Sequence, residues 1–516
     1  MVAVSLALAP AASAAPLDGL RQSCHSERSA GAHPVRYRIC NGKVPSFDGT
    51  ALDATLTTPA RRPLRRRPLI VYLHGFLADK GEYLSQTRDG SSSYKTVHWN
   101  NIWFASRGYD VLNYSARGQG ASDGQIGLAS KNIEVRDTQY LTGLLADDGR
   151  IARVYPRRIG VIGSSYGGGQ AWLLLTTKGK GARRYGSWLS PRGRPMRLGA
   201  LVPGYTWTDL LAALLPGGGP RGVPLGVGKL TIVDGLVASA NSKLPARTLG
   251  WVARLNAGEP YEDGDPVVAD ARRSLGDERS ALYQDGFFRA LKRSKGSQVP
   301  VLAGQGWTDP IFPVSEAVRM YDRLRAARRR FPIQLYLGDF EHLTALARVA
   351  DLAYFHRLGN RLLDRALRHR GRRIKFDVRS AASRCDPAGF GPVVRASSFR
   401  RLARRTRVFE LPGTRQAISP APSPAEGVAV DPVVQSTQKG RGCLTTRSGP
   451  GPGVAAWSVS TGNGFTLRGM PRLELHFRTL APDVELNSRL WDVDPGGTRT
   501  LVTRGAQRVL NPNRAG

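Results

Sequence analysis

The sequence predicts an α/β protein built on a mostly parallel sheet, with a helical insertion and a C-terminal all-β domain. Three observations carry this reading. Short, near-continuous apolar runs end in glycines and alternate with helix-patterned stretches, the signature of a parallel sheet covered on both faces. The stretch from about 206 to 296 lacks such runs and offers amphipathic segments such as TDLLAALL and SALYQDGFFRAL instead. From 371 onward the chain becomes rich in turns and alternating apolar residues.

Taken in order, MVAVSLALAPAASAAP opens the chain as an apolar stretch with the small-residue cleavage site Ala12-Ser13-Ala14, so residues 1–15 are expected to be a signal peptide and the protein to be secreted. VRYRICNGKVPSFDGTALDATLTTPA alternates and turns at Asp48-Gly49, which predicts an edge hairpin. PLIVYLHG, YDVLNYSARGQG, RRIGVIGSSYGGG, RLGALVPGY, QVPVLAGQGW and FPIQLYLGD supply the core strands. Helices are expected over 133–145 and 314–325. In the second, Val314, Val318, Tyr321 and Leu324 share a face. Beyond 371, RRIKFDVRS, RLELHFRTL and ELNSRLWDVDPGGTRTLVTRG read as strands, the last as a hairpin turning at Asp494-Pro495-Gly496-Gly497.

Composition narrows the chemistry. The chain has 516 residues and a net charge of +35. Its arginines are spread along the sequence without interleaved aromatics, so the charge reads as a solvated basic surface and no nucleic-acid partner is expected. Four cysteines without a C-x-x-C spacing argue against zinc and fit an oxidising compartment. Two local disulfides, Cys24–Cys40 and Cys385–Cys443, are the simplest pairing, with free thiols as the alternative. No run after the leader is long enough to span a membrane.

The sharpest signal is Gly163-Ser164-Ser165-Tyr166-Gly167, a G-x-S-x-G pattern. A second match, Gly120-Ala121-Ser122-Asp123-Gly124, lies in a polar loop, where Ser-Asp-Gly is ordinary turn chemistry. Ser165 directly follows the apolar run 159–162 and precedes a helical stretch, so it is the expected nucleophile. A serine hydroxyl needs an imidazole base, and the imidazole needs a carboxylate to fix its tautomer. In the order Ser, acid, His, the candidates are Asp309, after the strand ending GQGW, and His342, after the strand ending LGD. His356 and His369 sit mid-helix, His476 lies in the β-rich region, and His74 reads as packing in its turn. The oxyanion donors are expected from the backbone N–H of Tyr166 and that of Phe76, in His74-Gly75-Phe76-Leu77.

GSSYGG, GWTD, RGQGASDG and above all LWDVDPGGTRTLVTRG resemble the Xaa-Pro dipeptidyl-peptidase and cocaine-esterase-like (CocE/NonD) serine hydrolases. The resemblance implies an α/β-hydrolase domain over 16–370 with a helical cap at about 206–296. It further implies a jelly-roll (galactose-binding-like) domain over 371–516, a Ser165, Asp309, His342 triad, and acyl-enzyme hydrolysis without a cofactor. Three features depart from the family. Phenylalanine follows the glycine where relatives supply a tyrosine hydroxyl, DFEHLT differs from the usual histidine loop, and the chain ends at Asn513-Arg514-Ala515-Gly516, where relatives carry further β structure.

Ester and peptide substrates share this chemistry. A dipeptidyl-peptidase additionally needs a carboxylate for the substrate's α-ammonium, expected on the cap or on the loop after the first core strand; Asp209, Glu259, Glu262 and Asp263 are among the cap's candidates. Short-chain esters are therefore the first expectation and Xaa-Pro peptides the second. The contrasting reading is a non-catalytic hydrolase scaffold that binds cell-envelope polyanions.

Overall fold

Each glycine-terminated apolar run becomes a strand of one large sheet. The computed structural model describes residues 15–61, 65–91, 96–218, 225–240, 242–259, 261, 264–340, 342, 349–369, 374–385, 390–403, 405–413, 415–418, 429–431 and 443–510. The expected signal peptide lies outside the described residues, but for its last one. The strands are β1 (His25–Arg28), β2 (Arg36–Pro45), β3 (Ala51–Pro59), β4 (Arg67–Leu73), β5 (Asp110–Tyr114), β6 (Val154–Ser164), β7 (Ser187–Leu189), β8 (Pro195–Gly204), β9 (Val301–Gly306), β10 (Ile333–Gly338), β11 (Val378–Ala381) and β12 (Val393–Ala396). Their order is β1-β2-β3-β5-β4-β6-β8-β9-β10-β11-β12, with β7 paired to β8.

From β5 to β11 every neighbour pair in that order is parallel. The β2–β3 hairpin joins antiparallel to β5 through β3, and the short β1 takes the outer position beyond it. Its turn uses Gly49 at φ +87°, a left-handed conformation that glycine adopts without strain.

The sheet is buried on both faces because its side chains alternate. Along β4, Leu69, Val71 and Leu73 enter one apolar core, while Ile70 and Tyr72 enter the other. Helices Glu134–Asp148, Tyr166–Thr176 and Ser315–Ala327 cover the first face, and Asn101–Ser106 and Val349–Leu363 the second. His356 stacks on Trp99 at 4.8 Å in that second core, and burial holds its imidazole well below the usual range, which marks it as a packed neutral residue.

Chain order reverses around β4, since β5 lies on one side of it and β6 on the other. In an open parallel sheet such a switch point leaves a crevice at the carboxyl ends of the strands. Between β8 and β9 the chain forms helices Leu210–Leu214, Leu230–Ala240, Ala246–Asn256, Pro266–Arg273 and Asp285–Arg293. This helical insert has its own core, in which Trp207, Leu210, Leu211 and Trp251 join Tyr166 and Phe312 from the strand ends.

The C-terminal third differs from expectation. RRIKFDVRS does yield a strand, but β11 pairs parallel with β10, and β12 pairs antiparallel with β11. Both belong to the large sheet, which therefore continues past residue 371. Local alternation identified the strand; the ladder it joins is a long-range choice. The hairpin at Asp494 forms as expected, between β14 (Asp483–Val493) and β15 (Arg499–Leu510), with β13 (Thr445–Thr446) beside β15. RLELHFRTL forms no strand: Leu473, Leu475 and Phe477 are exposed. Alternation defines two faces, yet a strand persists only where another supplies its hydrogen bonds. Among the described residues, no jelly roll is assembled around this three-stranded sheet.

Both expected disulfides are present, Cys24–Cys40 and Cys385–Cys443. No helix of the described residues is long and apolar enough to cross a membrane. A non-reduced digest of the native protein should contain both linked peptides. Replacing Cys24 and Cys40 together by serine should cost about 3 kcal/mol of stability in urea unfolding, the value for closing a loop of this length; an unchanged midpoint would contradict it.

Candidate active site

The turn after β6 is tightly crowded. A Cβ at Gly163 would overlap the Gly167 carbonyl, and a Cβ at Gly167 would overlap the Leu73 carbonyl at the end of β4. Both flanking positions of the motif must therefore be glycine, because backbone meets backbone there. The residue between them is pushed to φ +53°, uncommon for a residue with a side chain. That residue is Ser165. Its N–H donates to the Gly204 carbonyl at 3.0 Å, and its carbonyl accepts from Gly168, Gly169 and the Thr206 hydroxyl. Every backbone tie holds the turn, which leaves the hydroxyl standing out at the carboxyl end of the sheet.

Ser122, in the competing motif, is buried. Its hydroxyl donates to the Ser115 carbonyl at 2.7 Å and accepts from the Asp53 N–H at 2.8 Å. It is a turn staple.

Asp309 and His342 arrive from the next two strands in the sheet after β8. Gly306, at the end of β9, has no room for a Cβ against the Phe340 carbonyl, which lets the two loops run in contact. Trp307 N–H donates across to the Gly338 carbonyl at 3.0 Å. The Asp309 carboxylate is fully buried, and its Oδ1 accepts the N–H groups of Ile311 and Phe312 at 3.0 Å each. Its Oδ2 lies 2.8 Å from His342 Nδ1, and His342 Nε2 lies 2.8 Å from Ser165 Oγ. The three side chains named from the sequence thus meet in one hydrogen-bonded line. Edge-on contacts with Tyr205 at 5.3 Å and Phe312 at 5.2 Å confine the imidazole ring.

His74 has a different fate. Its Nδ1 lies 2.7 Å from the Gly75 carbonyl, and its Nε2 accepts from the Ala116 N–H at 2.8 Å, which requires the neutral tautomer with the proton on Nδ1. Burial pushes its pKa down, so the ring stays uncharged.

The N–H groups of the loop after β4 are mostly spent within the protein. Gly75 N–H donates to Glu82 Oε2 at 2.6 Å, Leu77 N–H to Gln119 Oε1 at 2.6 Å, and Ala78 N–H to the Gly75 carbonyl at 3.2 Å. Phe76 N–H has no partner among the described residues, and neither does Tyr166 N–H at the start of its helix. The phenyl and phenol rings of these two residues lie 5.8 Å apart. Glu82 and Gln119 escaped the sequence reading, because a side chain that braces a distant backbone N–H leaves no local pattern.

The acidic candidates on the insert are occupied elsewhere. Asp209 caps a helix through the Ala212 N–H and pairs with Tyr283 and Arg319. Glu259 faces Arg508 of β15 at 3.2 Å, and burial beside Glu485 pushes its carboxyl up to about 8. Glu262 and Asp263 lie outside the described residues. Among the described residues, no group of histidine, cysteine and carboxylate side chains could hold a metal ion.

Similar solved structures include a CocE/NonD family hydrolase from Staphylococcus aureus, at 14% identity and a TM-score of 0.47, covering 73% of this chain and 59% of that one. An alpha-amino acid ester hydrolase matches at 15% identity and 0.42, covering 67% and 57%. A puromycin-hydrolyzing peptidase from Mycobacterium tuberculosis matches at 14% and 0.41, covering 68% and 47%. The chain spans less than two thirds of the length of each. No curated protein matches it. The model of the X-Pro dipeptidyl-peptidase (S15 family) matches residues 48–344, a span that contains Ser165, Asp309 and His342. That span is more than half of the 516 residues, and the chain belongs to the X-Pro dipeptidyl-peptidase (S15) family.

Proposed function

We propose that this protein is a secreted serine hydrolase that cleaves acyl ester or peptide bonds through an acyl-enzyme formed on Ser165. The observation that carries the reading is the line from Ser165 Oγ through His342 to Asp309, with 2.8 Å at both joints. In it, His342 Nε2 takes the hydroxyl proton as Oγ attacks the carbonyl carbon. Asp309 holds the Nδ1–H tautomer and stabilises the imidazolium. The developing oxyanion accepts from Tyr166 N–H and Phe76 N–H, neither of which has a partner among the described residues. The leaving alcohol or amine departs with the proton from His342, and water reverses the sequence to free Ser165.

The helical insert acts as a cap in this reading, and the C-terminal three-stranded sheet is the described part of a jelly-roll domain. Export through residues 1–15 is supported by the two disulfides.

Short-chain esters are the favoured substrates, with Xaa-Pro peptides second. A buried α-ammonium demands a carboxylate partner, and Asp209 and Glu259 are already committed. An ester needs only the apolar surround that Phe76, Trp207 and Phe312 supply.

A fluorophosphonate probe should label the wild-type chain on Ser165; absence of labelling would favour a non-catalytic polyanion-binding scaffold. Ser165→Ala should lower ester turnover about a millionfold. Ser122→Ala, folded to the same helicity, should retain activity, and the reverse result would overturn the assignment. Asp309→Asn should reduce kcat on the order of ten-thousandfold by favouring the wrong tautomer. Kinetics on p-nitrophenyl butyrate and Ala-Pro-p-nitroanilide decide the substrate. A preference for the amide that vanishes on acetylating its N-terminus would make the protein a peptidase.

A further inference from the structure

The acid of the line is held from behind by a cation. Lys229 stands just before helix Leu230–Ala240 in the insert, with its N–H on the Leu214 carbonyl at 3.0 Å. Its Nζ donates to the Pro310 carbonyl at 2.8 Å and to the Ile311 carbonyl at 2.9 Å. The N–H groups of those same two peptide units, on Ile311 and Phe312, point the opposite way and donate to Asp309 Oδ1. A peptide unit is planar and trans, so its C=O and N–H are rigidly opposed. Two consecutive units therefore form a double strut, with the ammonium at their negative ends and the carboxylate at their positive ends.

We propose that Lys229 is a positioning residue for Asp309, setting the carboxylate's orientation toward His342 through these two peptide units and coupling it to the placement of the insert. The inference rests on the proposed serine-hydrolase reading. A tilt of either peptide plane moves a hydrogen bond on Asp309, and with it the angle at which His342 is held. The insert end of the strut is itself braced: Val227 N–H binds the Pro216 carbonyl, and Gln507 and Arg508 of β15 bind the Gly217 and Leu225 carbonyls. No sequence pattern announces the arrangement, since the lysine lies about eighty positions from the loop it holds.

The charge adds a titratable element. Lys229 keeps part of its surface in solvent, while its ammonium is spent on the Pro310 and Ile311 carbonyls. Burial pushes it down to about 8, the charges of Asp309 and Glu316 pull it upward, and Arg504 opposes them. Hydrogen bonds from an ammonium are roughly twice as strong as those from a neutral amine. The strut should loosen as pH rises through about 8.

The test uses the full chain with Lys229→Met and Lys229→Arg, alongside Ser165→Ala. Three quantities are read: kcat and KM on p-nitrophenyl butyrate, the pH–rate profile, and the downfield proton resonance of the His342–Asp309 hydrogen bond. Lys229→Met should lose roughly tenfold to hundredfold in kcat, the scale of a small misplacement of a catalytic group, with KM nearly unchanged. Its downfield resonance should move. The wild-type rate should fall above pH about 8, and Lys229→Arg, which does not titrate there, should lack that fall. A folded Lys229→Met with wild-type kcat, or with reduced kcat and an unmoved resonance, would overturn the proposal. Should Lys229→Met fail to fold, Lys229→Arg decides: an alkaline fall that persists in it overturns the strut. Undiminished activity in Ser165→Ala would instead remove the underlying hydrolase reading, and the strut with it.

Discussion

The close approach of Gly167 to the Leu73 carbonyl sets most of what happens at the carboxyl end of the sheet. It allows the helix Tyr166–Thr176 to start directly against β4, while Gly163 lets the helix fold back over β6. Ser165 then has no alternative to its positive φ, and that strain aims its hydroxyl into the crevice. The same approach brings the helix's first N–H beside the loop after β4, where Phe76 N–H is also without a partner among the described residues. One steric contact thus joins the Ser165 hydroxyl to the Tyr166 and Phe76 N–H groups.

Electrostatics divides the polar groups around this turn into separate roles. His74 follows β4 and His342 follows β10, yet only His342 has a carboxylate on Nδ1; His74 spends both nitrogens on backbone groups. Asp309 is buried, and a buried carboxylate is costly unless hydrogen-bonded. Two backbone N–H groups and the imidazole meet that demand. The acid loop is therefore a rigid support, with little freedom left to its side chain.

The insert and the C-terminal sheet show how distant segments converge on one place. Trp207 packs closely over Gly169 of the helix that follows Ser165, and Arg508 reaches from β15 to the Leu225 carbonyl and to Glu259. These contacts give the insert a fixed seat without any long-range signal in the sequence.

Local sterics and periodicity account for the part of this protein legible from residue order. Continuous apolar runs named the core strands, since a strand buried on both faces needs no polar alternation. G-x-S-x-G named Ser165 because backbone crowding admits only glycine at the flanks. Chain order singled out Asp309 and His342, and cysteine placement suggested both disulfides. Tertiary structure alone decided which ladder a strand joins, so β11 and β12 extend the large sheet, and RLELHFRTL, equally alternating, pairs with nothing among the described residues. It also decided which polar side chains serve the site from afar: Glu82 on Gly75, Gln119 on Leu77 and Lys229 on the acid loop. Side-chain hydrogen bonds to remote backbone groups depend on the folded distance between segments, and sequence spacing carries no record of that distance.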